Sequence, residues 1–181
     1  LTPEIFPLKD ESQAVIRSFE PTEWDLANHF AKQIAAESTH TLKYEGMPEI
    51  PEEKWNALSI ETQSHPVNLN IGAFTQNQPI GTLRFFQRNP NHPWIKHIGA
   101  FGMAISQAYW GQGIGTRLLR AMEAHARKCG ITRIEAEVRV ANDRGVSLYT
   151  KNGFKIEGRR EKAALIDGTF VDEFFIAKLL T

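Results

Sequence analysis

The sequence predicts one α/β (α+β) domain, with a mixed, mostly antiparallel sheet that carries helices on both faces. Segments with strand-like patterns alternate with segments whose apolar residues recur at helical spacing, and no repeat, low-complexity tract or linker interrupts them. The chain has 181 residues, of which 41% are hydrophobic, so it is long enough to bury one core. We therefore expect a single domain over residues 1–181.

The chain is expected to open with a short strand over residues 14–19 and a helix that follows Pro21. Thr22 is the predicted N-cap of this helix. Its core-facing residues lie three or four positions apart, as a helix packed on one side requires: Leu26, Phe30, Ile34 and Ala35.

Next the sequence predicts a second helix and then a strand hairpin. The helix begins at Pro51, a residue suited to a first helical position, and runs to about residue 63. Strand-like runs over 67–74 and 80–87 are joined by a short polar connection. A loop follows at 89–93, where prolines and asparagines cluster.

Three alternating glycines, Gly111, Gly113 and Gly115, separate a predicted buried strand over 98–105 from a helix that ends near Lys128, with Gly130 as its C′ residue. The N–H groups in the first turn of a helix lack internal partners, and the helix dipole adds partial positive charge there. Glycine also lets the backbone approach a ligand closely. This stretch therefore predicts a site for a phosphate or pyrophosphate.

The C-terminal third is predicted to form a strand over 131–140, a helix capped by Asn142, and two final strands over 154–166 and 170–180. These two strands turn at Asp167-Gly168, a dipeptide typical of a tight hairpin.

Several motifs together resemble the GNAT N-acetyltransferase superfamily. Gly111-Gln112-Gly113-Ile114-Gly115 after a strand resembles its acyl-CoA-binding motif, although Trp110 stands where that motif usually has Arg or Gln. Asn142-x4-Ser147-Leu148-Tyr149-x3-Gly153-Phe154 resembles the second motif, Asp167-Gly168-x3-Asp172 the closing hairpin, and Glu37-Ser38-Thr39 a loop of one bacterial branch. The resemblance covers about residues 14–180, and the motif-bearing core about 97–160.

The resemblance implies a GNAT-like fold and an enzyme that moves an acetyl group from acetyl-CoA to a primary amine of a small molecule or protein. Attack would be direct, in a ternary complex. Tyr149 is implied as the general acid that protonates the thiolate leaving group. The coenzyme-binding residues expected on these grounds are Met103, Ala104 and Ile105 through their main chain, Gly111, Gln112, Gly113, Ile114, Gly115 and Thr116 around the glycine turn, and Asn142 and Ser147.

The acceptor amine must be neutral to attack, so an amine with a pKa near 10.4 needs a base or a proton relay. Glu37 ranks first as this base, because its loop is expected to border the acceptor site. The other candidates are His40, His97, Glu135 and Glu137. Both Glu135 and Glu137 alternate with the apolar face of their strand and are expected at the surface.

Two other functions stay open. A non-catalytic acyl-CoA-binding module would keep the coenzyme site but lose turnover. A dinucleotide-binding protein would use Gly111-x-Gly113-x-x-Thr116, with Glu135 or Glu137 as the ribose-binding acid.

Composition narrows the partners and the location. The formal net charge is zero, which does not indicate nucleic acid or an anionic membrane as a partner. No apolar run approaches the length of a membrane span, and no pair of histidines has the spacing of metal ligands. The single cysteine, Cys129, is consistent with a reducing compartment, so we expect a cytoplasmic protein without a metal. A homodimer through an edge strand is also expected.

Overall fold

The computed structural model describes residues 1–180, with the backbone only at residue 63, and an eight-stranded sheet runs through this part of the chain. Its strands are β1 Glu4–Pro7, β2 Gln13–Ser18, β3 Leu69–Thr75, β4 Gln78–Gln87, β5 Ile98–Ile105, β6 Arg133–Arg139, β7 Lys155–Ile166 and β8 Thr169–Leu179. The helices are α1 Trp24–Glu37, α2 Glu52–Ser64, α3 Ile114–Lys128 and α4 Asp143–Lys151, with a 3-10 turn at Gln107–Tyr109.

The strands lie in the order β1-β2-β3-β4-β5-β6-β8-β7. All neighbours are antiparallel except β5 and β6, which run parallel because α3 crosses over between them. The predicted mixed, mostly antiparallel sheet is therefore confirmed.

Helices cover both faces of this sheet, as expected. Leu118, Leu119 and Met122 of α3 are fully buried against one face, in the main core cluster. On the opposite face, Gly72 of β3 lies under the ring of Phe19, which packs edge-on against Trp55 of α2. One face thus belongs to α3 and α4, and the other to α1 and α2.

The sequence prediction is wrong at three places near the N-terminus. It contains no equivalent of β1, because four residues beside prolines give no alternating pattern. Thr22 does not cap α1: Glu23 holds the N-cap position, and its carboxylate instead accepts two hydrogen bonds from Arg17. Pro51 precedes α2 as its N-cap residue and is not its first helical residue.

The parallel pair β5 and β6 diverges along its length. Their register extends only from Ile98–Arg133 to Ala100–Glu135, whereas β5 continues along β4 as far as Ile105. From Phe101 onward, the edge of β5 that faces β6 therefore has no strand partner. The gap opens toward the glycine turn, since that turn follows β5.

Candidate active site

The glycine turn has the backbone conformation that its sequence predicts. Gly111 and Gly113 have φ angles of +71° and +79°, in the left-handed region that favours glycine. Gly113 is the N-cap residue of α3, and no side chain caps this helix.

The backbone N–H groups of residues 111–116 donate no hydrogen bond within the described chain, and the helix ladder of α3 starts with Arg117 N–H to the Gly113 carbonyl at 3.1 Å. The first turn of α3 also contains no acidic residue. A run of free N–H groups at the positive end of a helix dipole is suited to a phosphate anion.

Gly115 is required for a different reason, which is close packing. A Cβ atom on Gly115 would lie 2.7 Å from Cδ2 of Leu148 in α4 and 3.2 Å from Cδ1 of Ile105 in β5. The absence of a side chain therefore lets the start of α3 approach both elements, which brings the glycine turn, the strand gap and α4 together.

Met103, Ala104 and Ile105 form the end of β5 that borders the gap, and each is partly exposed. The side chains of Met103 and Ile105 pack against the core, as the sequence suggests. The Ile105 carbonyl accepts a 2.8 Å hydrogen bond from the indole Nε1 of Trp110. Trp110 thus fixes the chain between β5 and the glycine turn.

Tyr149 lies on α4, beside the part of β5 that has lost its strand partner. Its ring packs edge-on against Phe101 and Phe154, with centroid distances of 5.6 and 5.8 Å. Burial raises the pKa of Tyr149 to about 12, so the phenol stays protonated at neutral pH. Its hydroxyl has no hydrogen-bond partner within residues 1–180, yet it is not among the buried polar atoms that lack one, so it keeps contact with solvent.

Two further predicted residues lie on the same helix or next to it. Asn142 is the N-cap residue of α4, and its Oδ1 accepts a 2.9 Å hydrogen bond from Gly145 N–H. Ser147 is half-buried two residues before Tyr149. The side chain of Leu148, between Ser147 and Tyr149, lies against Gly115 at the start of α3. Ser147 and Tyr149 themselves point to different sides of α4, because residues two apart do not share a helix face.

Glu37 is the last residue of α1, and its carboxylate accepts three hydrogen bonds. The donors are Gln33 Nε2 at 2.7 Å, Ser106 Oγ at 3.0 Å and Gln107 N–H at 2.7 Å. These bonds tie the end of α1 to the chain that follows β5. Glu37 also lines a cleft of about 290 Å³, together with Ser38, Thr39, His40, Gln107 and Trp110.

The two glutamates of β6 lie on the sheet face opposite α3 and α4, because side chains alternate along a strand. Glu135 is only 8% exposed, and its carboxylate binds Arg133 at 2.6 Å and Arg88 at 3.2 Å. The prediction that Glu135 is a surface residue is therefore wrong. Glu137 is exposed, as predicted, and lies where β6 has diverged from β5.

The family model for the acetyltransferase (GNAT) family matches residues 29–154, which include the glycine turn, the strand gap and Tyr149. This chain belongs to the acetyltransferase (GNAT) family. The expected family is thereby confirmed.

Two curated proteins resemble the chain in sequence. The L-amino acid N-acetyltransferase AaaT of Escherichia coli (strain K12) is 33% identical over 88 residues, which are 48% of this chain and 54% of that protein. The N-alpha-acetyltransferase RimI of Mycobacterium tuberculosis is 31% identical over 103 residues, which are 57% of this chain and 62% of that protein. The matches thus span little more than half the length of these relatives.

Solved structures of GNAT proteins share the fold over nearly the whole chain. An acetyltransferase of the family from Streptococcus pneumoniae has a TM-score of 0.86 and 26% identity, and the match covers 93% of this chain and 99% of that one. The structure of yncA from Salmonella typhimurium with its cofactor acetyl-CoA has a TM-score of 0.80 and 15% identity, with coverages of 93% and 94%.

Residues 1–180 contain no cluster of three or more His, Cys, Asp or Glu side chains that could hold a metal ion. They also contain no helix that is long and apolar enough to span a bilayer.

The glycine turn, the end of β5 and Tyr149 of α4 thus lie around the gap between β5 and β6. Glu37 lies instead in the cleft at the end of α1. From the sequence, Glu137 is one of several candidate bases and is expected at the surface. The signal that could have singled it out is the parallel crossover, since two parallel strands that diverge expose the side chains of their carboxyl ends.

Proposed function

We propose that this protein transfers the acetyl group of acetyl-CoA to a primary amine by direct attack in a ternary complex. The observation that carries the proposal is a run of six free backbone N–H groups at the mouth of a strand gap, with the Tyr149 hydroxyl beside that gap. The printed names of the E. coli and M. tuberculosis relatives, an L-amino acid and an N-alpha-acetyltransferase, support an amine acceptor.

The coenzyme is proposed to lie across the glycine turn and along the open edge of β5. The N–H groups from Gln112 to Thr116 would hold the pyrophosphate, because they converge where the helix dipole is positive. The main chain of Met103–Ile105 would pair with the pantetheine amides, as an adjacent strand would. Asn142, at the N-cap of α4, and Ser147, within α4, would contact the coenzyme from the α4 side.

Tyr149 is proposed as the general acid. The leaving group is a thiolate with an intrinsic pKa of about 8.5, and a donor within hydrogen-bond reach can hold its developing charge or protonate it as it leaves. The phenol is in its acid form at neutral pH with or without burial, and burial raises the pKa of Tyr149 further, to about 12. Because its hydroxyl has no protein partner within the described chain, it is free to donate to the leaving sulfur.

The acceptor is proposed to bind on the face opposite Tyr149, where Glu137 is exposed. Within residues 1–180, Glu137 accepts no hydrogen bond and forms only long ion pairs, 3.5 Å to Arg88 and 3.9 Å to Arg160. A base there and an acid on α4 would act from opposite sides of the gap, which suits an amine that attacks as a thiolate leaves. Glu37, the base favoured by the sequence, is proposed to border the acceptor cleft. Its three hydrogen bonds suit it to fixing the cleft wall better than to removing a proton.

We further propose a cytoplasmic location, supported by the single cysteine, and a homodimer through an edge strand. The edges of the sheet are β1 and β7, and β7 is the longer. Leu165 on β7 and Phe170 on the adjacent β8 are more than half exposed, which makes this end of the sheet the better candidate for a dimer contact.

The first experiment is a thermal-shift titration with acetyl-CoA, NADH and plain buffer in parallel. A ligand at about 100 times its dissociation constant adds about 2.7 kcal/mol, which raises the melting temperature of a chain of this length by about 5–11 °C. Stabilisation by acetyl-CoA alone is the expected result. Stabilisation by NADH alone would overturn the proposal in favour of a dinucleotide site.

Thiol release then separates the enzyme from a non-catalytic acyl-CoA-binding module. Purified protein is mixed with acetyl-CoA and a panel of free amino acids and short peptides with free N-termini. Turnover with at least one amine is expected. Binding of acetyl-CoA without thiol release across both classes would favour the non-catalytic module.

A further inference from the structure

The turn that joins β1 to β2 touches the glycine turn, although the two are about 100 residues apart in sequence. The Lys9 N–H donates a 3.0 Å hydrogen bond to Oε1 of Gln112. The Lys9 ammonium lies 3.8 Å from the position that a Cβ atom on Gly111 would occupy. Both contacts place this exposed lysine beside the glycine turn.

The β1–β2 hairpin is fastened to the same region by further contacts. Arg117, in the first turn of α3, pairs with Glu4 and lies 4.5 Å from the ring centroid of Phe6. Leu8, next to Lys9, is buried in the core, and its N–H bonds the Ser12 carbonyl at 2.8 Å. The position of Lys9 is therefore set by the fold.

The charge of Lys9 is also available to a ligand. None of the ion pairs among residues 1–180 involves Lys9. The neighbouring Asp10 accepts hydrogen bonds from the N–H and the hydroxyl of Ser12, so its carboxylate is engaged within its own turn. An unpaired ammonium beside six free N–H groups is suited to a pyrophosphate diester, whose two phosphoryl groups carry one negative charge each.

We infer that Lys9 binds the pyrophosphate of the coenzyme, so that the N-terminal hairpin completes a site otherwise built by the glycine turn. This inference rests on the proposed function. It concerns a segment that lies before residue 29, where the match to the family model begins. The β1–β2 hairpin would thus supply the Lys9 ammonium to a site whose other donors are backbone N–H groups.

The test compares Lys9→Met with Lys128→Met by calorimetric titration. Lys128 is an exposed lysine at the last residue of α3, about 21 Å along the helix from its start, beyond the range of screened charge interactions. The probes are CoA, dephospho-CoA, which keeps the pyrophosphate but lacks the 3′-phosphate, and pantetheine, which lacks both. All proteins are first checked for equal melting temperatures without ligand.

Lys9→Met is expected to raise the dissociation constants of CoA and dephospho-CoA equally, by about 3- to 10-fold, and to leave pantetheine binding unchanged. The loss should shrink at about 0.5 M salt, because exposed charges are then screened. Gln112→Met, which removes the acceptor of the Lys9 N–H, should cost less than Lys9→Met. The double variant should lose less than the sum of the two.

Each other result points elsewhere. If the unmodified protein binds neither CoA nor dephospho-CoA, the proposed function itself fails. If it binds both but Lys9→Met matches it, or Lys128→Met weakens binding equally, only the inference about Lys9 fails. A loss confined to CoA would also overturn it, since the lysine would then contact the 3′-phosphate.

Discussion

Replacing Tyr149 by Phe removes the hydroxyl and keeps the ring. If that hydroxyl protonates the leaving thiolate, kcat should fall by about 100-fold, at the low end of general acid effects because a thiolate is a moderate leaving group. This corresponds to about 2.7 kcal/mol of transition-state stabilisation. The dissociation constant of acetyl-CoA should stay within about 2-fold, since the ring still packs against Phe101 and Phe154.

The same substitution should leave the folded protein intact at neutral pH. The Tyr149 hydroxyl has no hydrogen-bond partner in the described chain, so its removal leaves no buried polar atom unsatisfied. The free energy of unfolding should therefore change by less than about 0.5 kcal/mol at pH 7. An unchanged free energy of unfolding would show that a loss of kcat comes from the missing hydroxyl and not from a destabilised fold.

Alkaline pH provides a second, independent readout. Burial raises the pKa of Tyr149 to about 12 from 10.0, so between these values the folded state holds a proton that the unfolded state has lost. Stability is therefore retained below pH 10 and lost as the pH rises toward 12, by a few kcal/mol at most. Tyr149→Phe should remove this part of the alkaline loss, as measured by urea unfolding at pH 9 and about pH 11.

The assay measures thiol release with saturating acetyl-CoA and a productive amine, and Tyr109→Phe serves as the control. Tyr109 is also partly buried against the core, and its substitution should leave kcat within about 2-fold. If Tyr149→Phe turns over at the rate of the unmodified protein, Tyr149 is not the general acid. If acetyl-CoA binding is lost together with turnover, the ring acts in binding instead.

Three further predictions concern the base, the turn and the helix cap. Glu137→Gln should lower kcat/KM for an amine by at least about 10-fold at pH 7, and kcat/KM should recover at higher pH because the amine then deprotonates without a base. Glu37→Gln should instead raise the acceptor KM and leave the pH profile unchanged. Equal pH profiles for both variants would contradict the proposed base. Gly113→Ala should lower the free energy of unfolding by about 1–2 kcal/mol in urea unfolding, because a residue with a Cβ is strained at a φ of +79°. No atom lies within 4 Å of that Cβ, so no steric clash adds to this cost, and an unchanged stability would show that the turn relaxes. Asn142→Ala should cost about 0.5–2 kcal/mol in thermal unfolding, since the hydrogen bond to Gly145 N–H is lost, and a smaller loss would mean that water replaces the cap.

The sequence by itself determined the features that depend on local backbone preferences. The bounds of β5, the end of α3 before Gly130 and the hairpin at Asp167-Gly168 all agree with prediction. Each depends on residues close in sequence. An apolar run forms β5, a glycine at positive φ ends α3, and the Asp-Gly dipeptide forms the hairpin turn. Asn142 likewise caps α4 because its side chain reaches an N–H only three residues away.

Only the tertiary structure decided which charged side chains of β6 are buried and which stay exposed. Glu135 and Glu137 lie two residues apart on the same face, yet Glu135 is buried between Arg133 and Arg88 while Glu137 stays exposed. The difference arises because β6 leaves β5 just beyond Glu135, which no local pattern encodes.

The contacts of Glu37 and Lys9 show the same limit. Glu37 binds residues about 70 positions later, and Lys9 a residue 103 positions later. Such contacts depend on how the strands and helices are arranged around the sheet, because residues distant in sequence meet only after the sheet has set their separation. The glycine turn could therefore be predicted from the sequence, whereas the contacts of Glu37 and Lys9 could be identified only in the folded structure.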